Sequence, residues 1–130
     1  MKKFVSIFVV AVVILMTATF VFAQKPTRIR FGKGEVSAVA SGTLKSYKSK
    51  KVFVIRVRAG QTLRTEQVGE NHITININAP NGESVGDADA SCNNRKEISP
   101  TIAGDYRIEV VECLKADAWR GRFKLKVWVE

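Results

Sequence analysis

Asp87 and Asp89 stand two residues apart, with Asn81 and Glu83 shortly before them, and oxygen ligands of this kind can hold calcium. Their spacing fits no EF-hand loop, so a solvated acidic loop is the simpler reading and calcium stays an open alternative. The one histidine, His72, has no cysteine or serine motif beside it. A catalytic nucleophile needs a base within hydrogen-bond reach and a third group to orient that base, and nothing in the spacing supplies such a set. There is no glycine-rich loop of the type that cradles phosphate. The expectation is a protein that is not an enzyme, with no metal and no cofactor.

Two features remain. Cys92 and Cys113 are the only cysteines. In an oxidising compartment an even pair reads as a disulfide, and a bridge closing a loop of this size stabilises by about 3 kcal/mol in the chain-entropy model. A metal site, which this pair and His72 alone cannot fill, and a free nucleophile are the alternatives. The segment that starts at Cys113 then runs Leu114-Lys115-Ala116-Asp117-Ala118-Trp119-Arg120-Gly121-Arg122. Tryptophan and arginine are among the residue types most enriched at binding hot spots. The competing reading has Trp119 folded back as a cap on the domain end, with Arg120 and Arg122 solvated.

Strands must carry these residues. Apolar side chains recur with period two: Phe53, Ile55 and Val57 against Val54, Arg56 and Arg58; Ile73, Ile75 and Ile77 against His72, Thr74, Asn76 and Asn78; Tyr106, Ile108 and Val110 against Arg107 and Glu109; Phe123, Leu125, Val127 and Val129 against Lys124, Lys126 and Trp128. Shorter alternations occupy residues 28–31 and 36–40, and residues 62–68 follow a turn at Gly60-Gln61. Pro80-Asn81-Gly82 and Ala103-Gly104-Asp105 are further turns. Residues 82–94 read as polar and irregular, with a short strand near Glu97-Ile98. No stretch beyond the leader keeps a helical period. The prediction is all-β: a single antiparallel two-sheet β-sandwich of seven to eight strands.

The N-terminus has the three parts of a secretory signal: Lys2 and Lys3, an apolar run from residue 4 to 16, and Val21-Phe22-Ala23 ahead of Gln24. Residues 1–23 are expected to be cleaved, leaving the sandwich at 24–130, periplasmic or secreted and without a membrane contact. A retained anchor is the alternative, since the run from Phe4 to Ala23 is about long enough to span a bilayer. Cleavage removes Lys2 and Lys3 and no acid, so the formal charge falls from +9 to +7. Residues 25–64 hold eleven basic residues and one acid, and residues 65–117 hold four basic residues and ten acids. Most of these are solvated strand faces. The sharper reading is a basic patch of Arg56 and Arg58 with Lys48, Lys50 and Lys51. Export and the lack of a reading motif argue against nucleic acid.

The run Arg30-Phe31-Gly32-Lys33-Gly34-Glu35-Val36-Ser37-Ala38, followed by Ser41-Gly42-Thr43-Leu44-Lys45-Ser46-Tyr47 and by Arg58-Ala59-Gly60-Gln61, resembles the bacterial periplasmic inhibitors of g-type (goose-type) lysozyme. Those proteins share Phe-x-Lys-Gly, then Ser-Gly-x-Ile-Lys-Gly-Tyr, then a strand ending near Lys-Gly-Gln. Ser46 stands here where they have glycine. The resemblance covers residues 30–68 and, more weakly, 104–129. Ala59-Gly60-Gln61-Thr62-Leu63 and Ala103-Gly104-Asp105-Tyr106 also look like the β-sandwich of pre-peptidase C-terminal (PPC-like) domains. The first resemblance implies a lysozyme inhibitor whose partner is a goose-type lysozyme, with Tyr47, Arg120 and Arg122 entering the substrate cleft and Trp119 beside them. The second leaves an alternative, an accessory PPC-like module that binds cell-envelope glycans.

Overall fold

A computed structural model describes residues 25–46, 49–86, 92–113 and 119–130. The expected leader, Tyr47, Lys48, Asp87 and Asp89 lie outside the described residues, so the readings that rest on them are neither met nor opposed. Among the described residues every regular element is a strand: β1 (Thr27–Arg28), β2 (Ser37–Leu44), β3 (Lys51–Val57), β4 (Leu63–Val68), β5 (Ile73–Asn78), β6 (Ser84–Val85), β7 (Arg95–Ile98), β8 (Gly104–Glu112) and β9 (Gly121–Val129). One sheet has the order β1-β3-β8-β5-β6 and the other β2-β9-β4-β7. Seven strands of four residues or more, with two short ones of two residues, make the all-β sandwich that the alternation predicts.

The faces follow the period of two. Phe53, Ile55, Val57, Ile73, Ile75, Ile77, Tyr106, Ile108 and Val110 line the inner side of the first sheet, and Leu63, Phe123, Leu125, Val127 and Val129 that of the second, all buried. Each such side chain contributes about 1.5–3 kcal/mol through its removal from water. Phe53 and Phe123 meet edge to face across the core, with ring centroids 6.2 Å apart. Thr74 points outward yet is buried, because its Oγ1 accepts the Cys92 N–H at 2.7 Å.

Three details differ from the sequence expectation. All pairings are antiparallel except one: β1 lies parallel to β3, Thr27 opposite Phe53 and Arg28 opposite Val54. The N-terminal segment therefore enters along the edge of the first sheet and the chain crosses to the second before β2. The strand expected at residues 36–40 continues to Leu44 through Ser41, Gly42 and Thr43, whose small polar side chains carry no alternation signal. Gly42 is required there, since a Cβ would lie 2.8 Å from the Phe123 ring and 2.9 Å from Lys51 Cγ. The expected irregular segment after Gly82 contains β6, which pairs with β5.

Candidate functional site

β2 and β9 run antiparallel with Leu44 opposite Gly121 and Thr43 opposite Arg122. The residues after β2 and the residues before β9 therefore emerge at the same end of the sandwich. After β2 the chain turns tightly: the Ser49 hydroxyl accepts the N–H groups of Lys45 (3.2 Å) and Ser46 (3.0 Å), and the Ser49 N–H donates to the Ser46 carbonyl at 3.0 Å. Tyr47 belongs to this loop but lies outside the described residues. Before β9 stand Trp119 and Arg120. Arg120 is exposed and makes no ion pair among the described residues. Arg122 is exposed on the outer face of β9.

Trp119 is held from three sides. Its ring stacks on His72, centroids 4.8 Å apart and planes 4° from parallel. Its backbone N–H donates to Glu112 Oε2 at 2.8 Å. Its ring also lies 3.0 Å from where a Cβ on Gly121 would sit, and Gly121 has φ +155°, so only glycine lets the chain enter β9 beneath the indole. Trp119 is half-buried and packs against the core. The ring thus caps the end of the sandwich, while Arg120, the next residue, is left in solvent.

Glu112 and His72 were not among the residues that sequence spacing singled out as partners of this loop. A signal existed for Glu112: it continues the inward row Tyr106, Ile108, Val110, and it is 2% exposed. No comparable signal marks the His72–Trp119 stack, which joins residues far apart in the chain. Beside that stack is an open groove of about 670 Å³, lined in part by Gln67, Glu70, His72, Trp119, Arg122 and Lys124. Gln67 Oε1 accepts the His72 backbone N–H at 2.9 Å, and the His72 ring lies 3.2 Å from the exposed carboxylate of Glu70. These groups offer a stacking surface with charges of both signs at its rim. No nucleophile sits against His72, and no group of three potential metal-ligating side chains occurs among the described residues.

Cys92 and Cys113 form a disulfide, so neither is a free nucleophile or a metal ligand. The bridge joins Cys92, three residues before β7, to Cys113, the residue after β8, at the same end of the sandwich as the groove. The Cys113 N–H donates to the His72 carbonyl at 3.0 Å, and Asn71 Nδ2 donates to the Cys92 carbonyl at 3.0 Å. The bridge, His72 and the base of the Trp119 loop are therefore one connected unit.

The expected basic patch is divided. Lys50 and Lys51 lie at one end of β3, while Arg56, opposite Asp105, lies toward the other. Acids are interleaved: Lys50 pairs with Glu109 at 3.6 Å, Arg107 with Glu109 at 3.3 Å, and Arg28 with Asp105 through two hydrogen bonds of 3.0 and 3.1 Å. The hydrogen-bonded Arg28 guanidinium holds the Asp105 carboxyl below its usual range against the opposing desolvation, and the charges of Arg28 and Arg56 add to the pull. On the second sheet the outer face carries Arg64 and Lys126 over the Trp128 ring, 5.5 and 4.8 Å from its centroid.

No family model matches the chain, and no curated protein matches it by sequence. Solved structures do. The crystal structure of Aeromonas hydrophila PliG, a periplasmic lysozyme inhibitor of g-type lysozyme, superposes with a TM-score of 0.67 at 20% identity, covering 81% of this chain and 96% of that one. PliG of Salmonella Typhimurium gives 0.61 at 18% identity, over 83% of this chain and 100% of that one. The pre-peptidase C-terminal domain of a Bacillus anthracis collagenase gives 0.54 at 16% identity, over 83% of this chain and 99% of that one. At such identities the likeness is one of architecture: the chain has the β-sandwich fold that the PliG inhibitors and the pre-peptidase C-terminal domain share.

Proposed function

We propose that this protein is an exported inhibitor of lysozyme, g-type first among the targets, and that it acts by obstruction with no catalysis of its own. Residues 1–23 serve as the export signal, and the sandwich works in the periplasm or outside the cell. The observation that supports this most directly is the pairing of Leu44 with Gly121, which brings the loop of Tyr47 and the approach to Arg120 to one end of a PliG-like sandwich.

The chemistry of such a plug follows from its target. A glycosidase cleft holds a carboxyl group that must act as an acid. A guanidinium inserted there makes charge-assisted hydrogen bonds and favours the ionised form, which cannot donate the proton. Arg120 is exposed and unpaired among the described residues, so it reaches a target without first breaking a bond. Tyr47 supplies a rigid aromatic body with a hydroxyl tip at small entropic cost. Trp119 forms the rim and, through Glu112 and His72, fixes where Arg120 leaves the domain. Arg122, seated on β9, is the lesser contact.

Inhibition constants against goose, chicken and invertebrate lysozymes test the reading. Truncating a central hot spot costs about 2 kcal/mol or more, so Tyr47→Ala and Arg120→Ala should each weaken inhibition of the true target by roughly thirtyfold. Arg122→Ala should matter less. If all three match the parent, the plug is wrong even though the fold stands. The second reading, an accessory module for cell-envelope glycans, draws support from the cations over Trp128. Glycan binding without inhibition of any lysozyme would favour it.

A further inference from the structure

We infer that the sandwich carries a second binding site, at the end away from the Leu44 and Gly121 loops, where Arg30 and Arg56 together hold a terminal phosphate group. β3 begins at the Leu44 end with Lys51 and runs away from it, so Arg56 stands five residues along, about 17 Å from its start. The parallel register of β1 on β3 sets Thr27 opposite Phe53 and Arg28 opposite Val54. The Ile29 N–H donates to the Val54 carbonyl at 2.8 Å, which carries the parallel ladder one residue past β1. That register sets Ile29 beside Ile55, both buried in the core, and Arg30 beside Arg56, both exposed.

Two arginines are thus neighbours on adjacent strands, about 4.8 Å apart at the backbone, and like charges set opposite each other on a sheet are destabilising. Neither has an ion pair among the described residues. Asp105 lies opposite Arg56 on β8, but both of its oxygens are taken by Arg28, at 3.0 and 3.1 Å. Arg107 is tied to Glu109 at 3.3 Å. The surface around the pair is concave. An open groove of about 410 Å³ is lined by Arg28, Ile29, Arg30, Phe31, Ile55 and Arg56. A second groove, of about 590 Å³, shares Arg28 and Arg30 and adds Lys25 and Arg107. Glu35 lines an adjoining groove together with Arg56 and Arg58, so cations outnumber acids on that side too.

The ligand class follows from the donors. A carboxylate has two oxygens and saturates one guanidinium fork, as Asp105 does with Arg28. Two forks side by side match an anion with three terminal oxygens. A phosphate monoester has them and carries a charge of about −1.5 to −2 at pH 7, enough to offset both arginines. Ile29 and Ile55 beneath, with half-buried Phe31 beside them, give the groove an apolar floor. A few charged groups converging over an apolar floor are the usual make-up of a small-molecule site, so the phosphate of a phosphorylated sugar fits as well as free phosphate. Tyr47, Trp119, Arg120 and Arg122 take no part, and the inference does not depend on what they bind.

Titration of the purified, cell-processed protein at low salt with inorganic phosphate, glucose-6-phosphate and acetate tests this, read by calorimetry and by the arginine Nε–H signals in NMR. Both phosphates should bind saturably, and about tenfold or more tightly than acetate. Arg30→Gln and Arg56→Gln should each weaken phosphate binding by about tenfold, the worth of one hydrogen bond to a charged group. Both side chains are exposed, and each change removes the like-charge contact, so the urea midpoint of either variant should not fall below the parent's. Arg95→Gln, an equal loss of charge on the second sheet, should bind phosphate like the parent. Tighter binding of glucose-6-phosphate than of inorganic phosphate supports a sugar phosphate as the ligand, and equal binding supports the phosphate group alone. The inference is overturned if phosphate binding does not saturate or if acetate binds as tightly. It is equally overturned if Arg95→Gln weakens binding as much as Arg56→Gln, since net charge alone would then account for the effect.

Discussion

Glu112 is the side chain on which the candidate site turns. It ends an inward-facing row of β8, is nearly fully buried, and accepts the backbone N–H of Trp119 at 2.8 Å. A buried N–H left without an acceptor costs about 1–3 kcal/mol. Glu112→Ala should therefore lower stability in urea by about that amount, while Glu112→Gln, which keeps an acceptor oxygen, should stay closer to the parent. If Glu112 fixes the exit of the Arg120 loop, Glu112→Ala should also weaken lysozyme inhibition beyond what the stability loss explains under conditions where the protein is fully folded. Inhibition unchanged at full folding would confine Glu112 to a role in stability.

At the scale of elements, β1 is the exception to an otherwise antiparallel fold, and contacts beyond its own pairing hold it. The Ile29 N–H donates to the Val54 carbonyl at 2.8 Å, and Arg28 grips Asp105 of β8 through both terminal guanidinium nitrogens. Asp105 has a folded-state pKa below its unfolded value, chiefly through the hydrogen bond from Arg28. The sign follows: the pair's stabilisation is fully present above the unfolded carboxyl pKa of about 3.9 and is lost as pH falls through the lower folded value. Arg28 keeps its charge throughout. Both groups are exposed, so the effect on global stability is small. The sensitive measurement is the carboxyl titration of Asp105 by NMR, in which Arg28→Ala should move the midpoint upward toward the ordinary aspartate value. A midpoint that does not move would show that the pair is open in solution.

For the whole molecule, the disulfide has the widest reach. Cys92 is hydrogen-bonded to Thr74 of β5, and its neighbours Asn93 and Asn94 accept N–H groups from Ile75 of the first sheet and Gln67 of the second. The bridge to Cys113 therefore sits where both sheets are tied together. Replacing both cysteines by serine should cost about 3 kcal/mol in the chain-entropy view, read as a lowered midpoint in urea with a slope that rises as the freed denatured chain exposes more surface. The intact mass of the exported protein should equal residues 24–130 less two hydrogens. A retained Met1 would instead support the membrane-anchor reading of the N-terminus.

What the sequence determined by itself is what a local period can encode. The alternations Phe53-Ile55-Val57, Ile73-Ile75-Ile77 and Phe123-Leu125-Val127-Val129 identify strands and their inward faces, because successive side chains of a strand point to opposite sides whatever lies next to it. The paired cysteines and the hot-spot composition around Arg120 were legible for the same reason, being properties of residue type. Tertiary structure alone decided the partners. That β1 runs parallel to β3, that Leu44 lies opposite Gly121, and that His72 receives Trp119 are relations between residues about 25 to 80 positions apart, and no local pattern specifies them. β2 shows the boundary most clearly. Its Ser41-Gly42-Thr43 stretch has too little apolar contrast to announce a strand, and becomes one because β9 offers it a ladder and the Phe123 ring leaves room only for glycine.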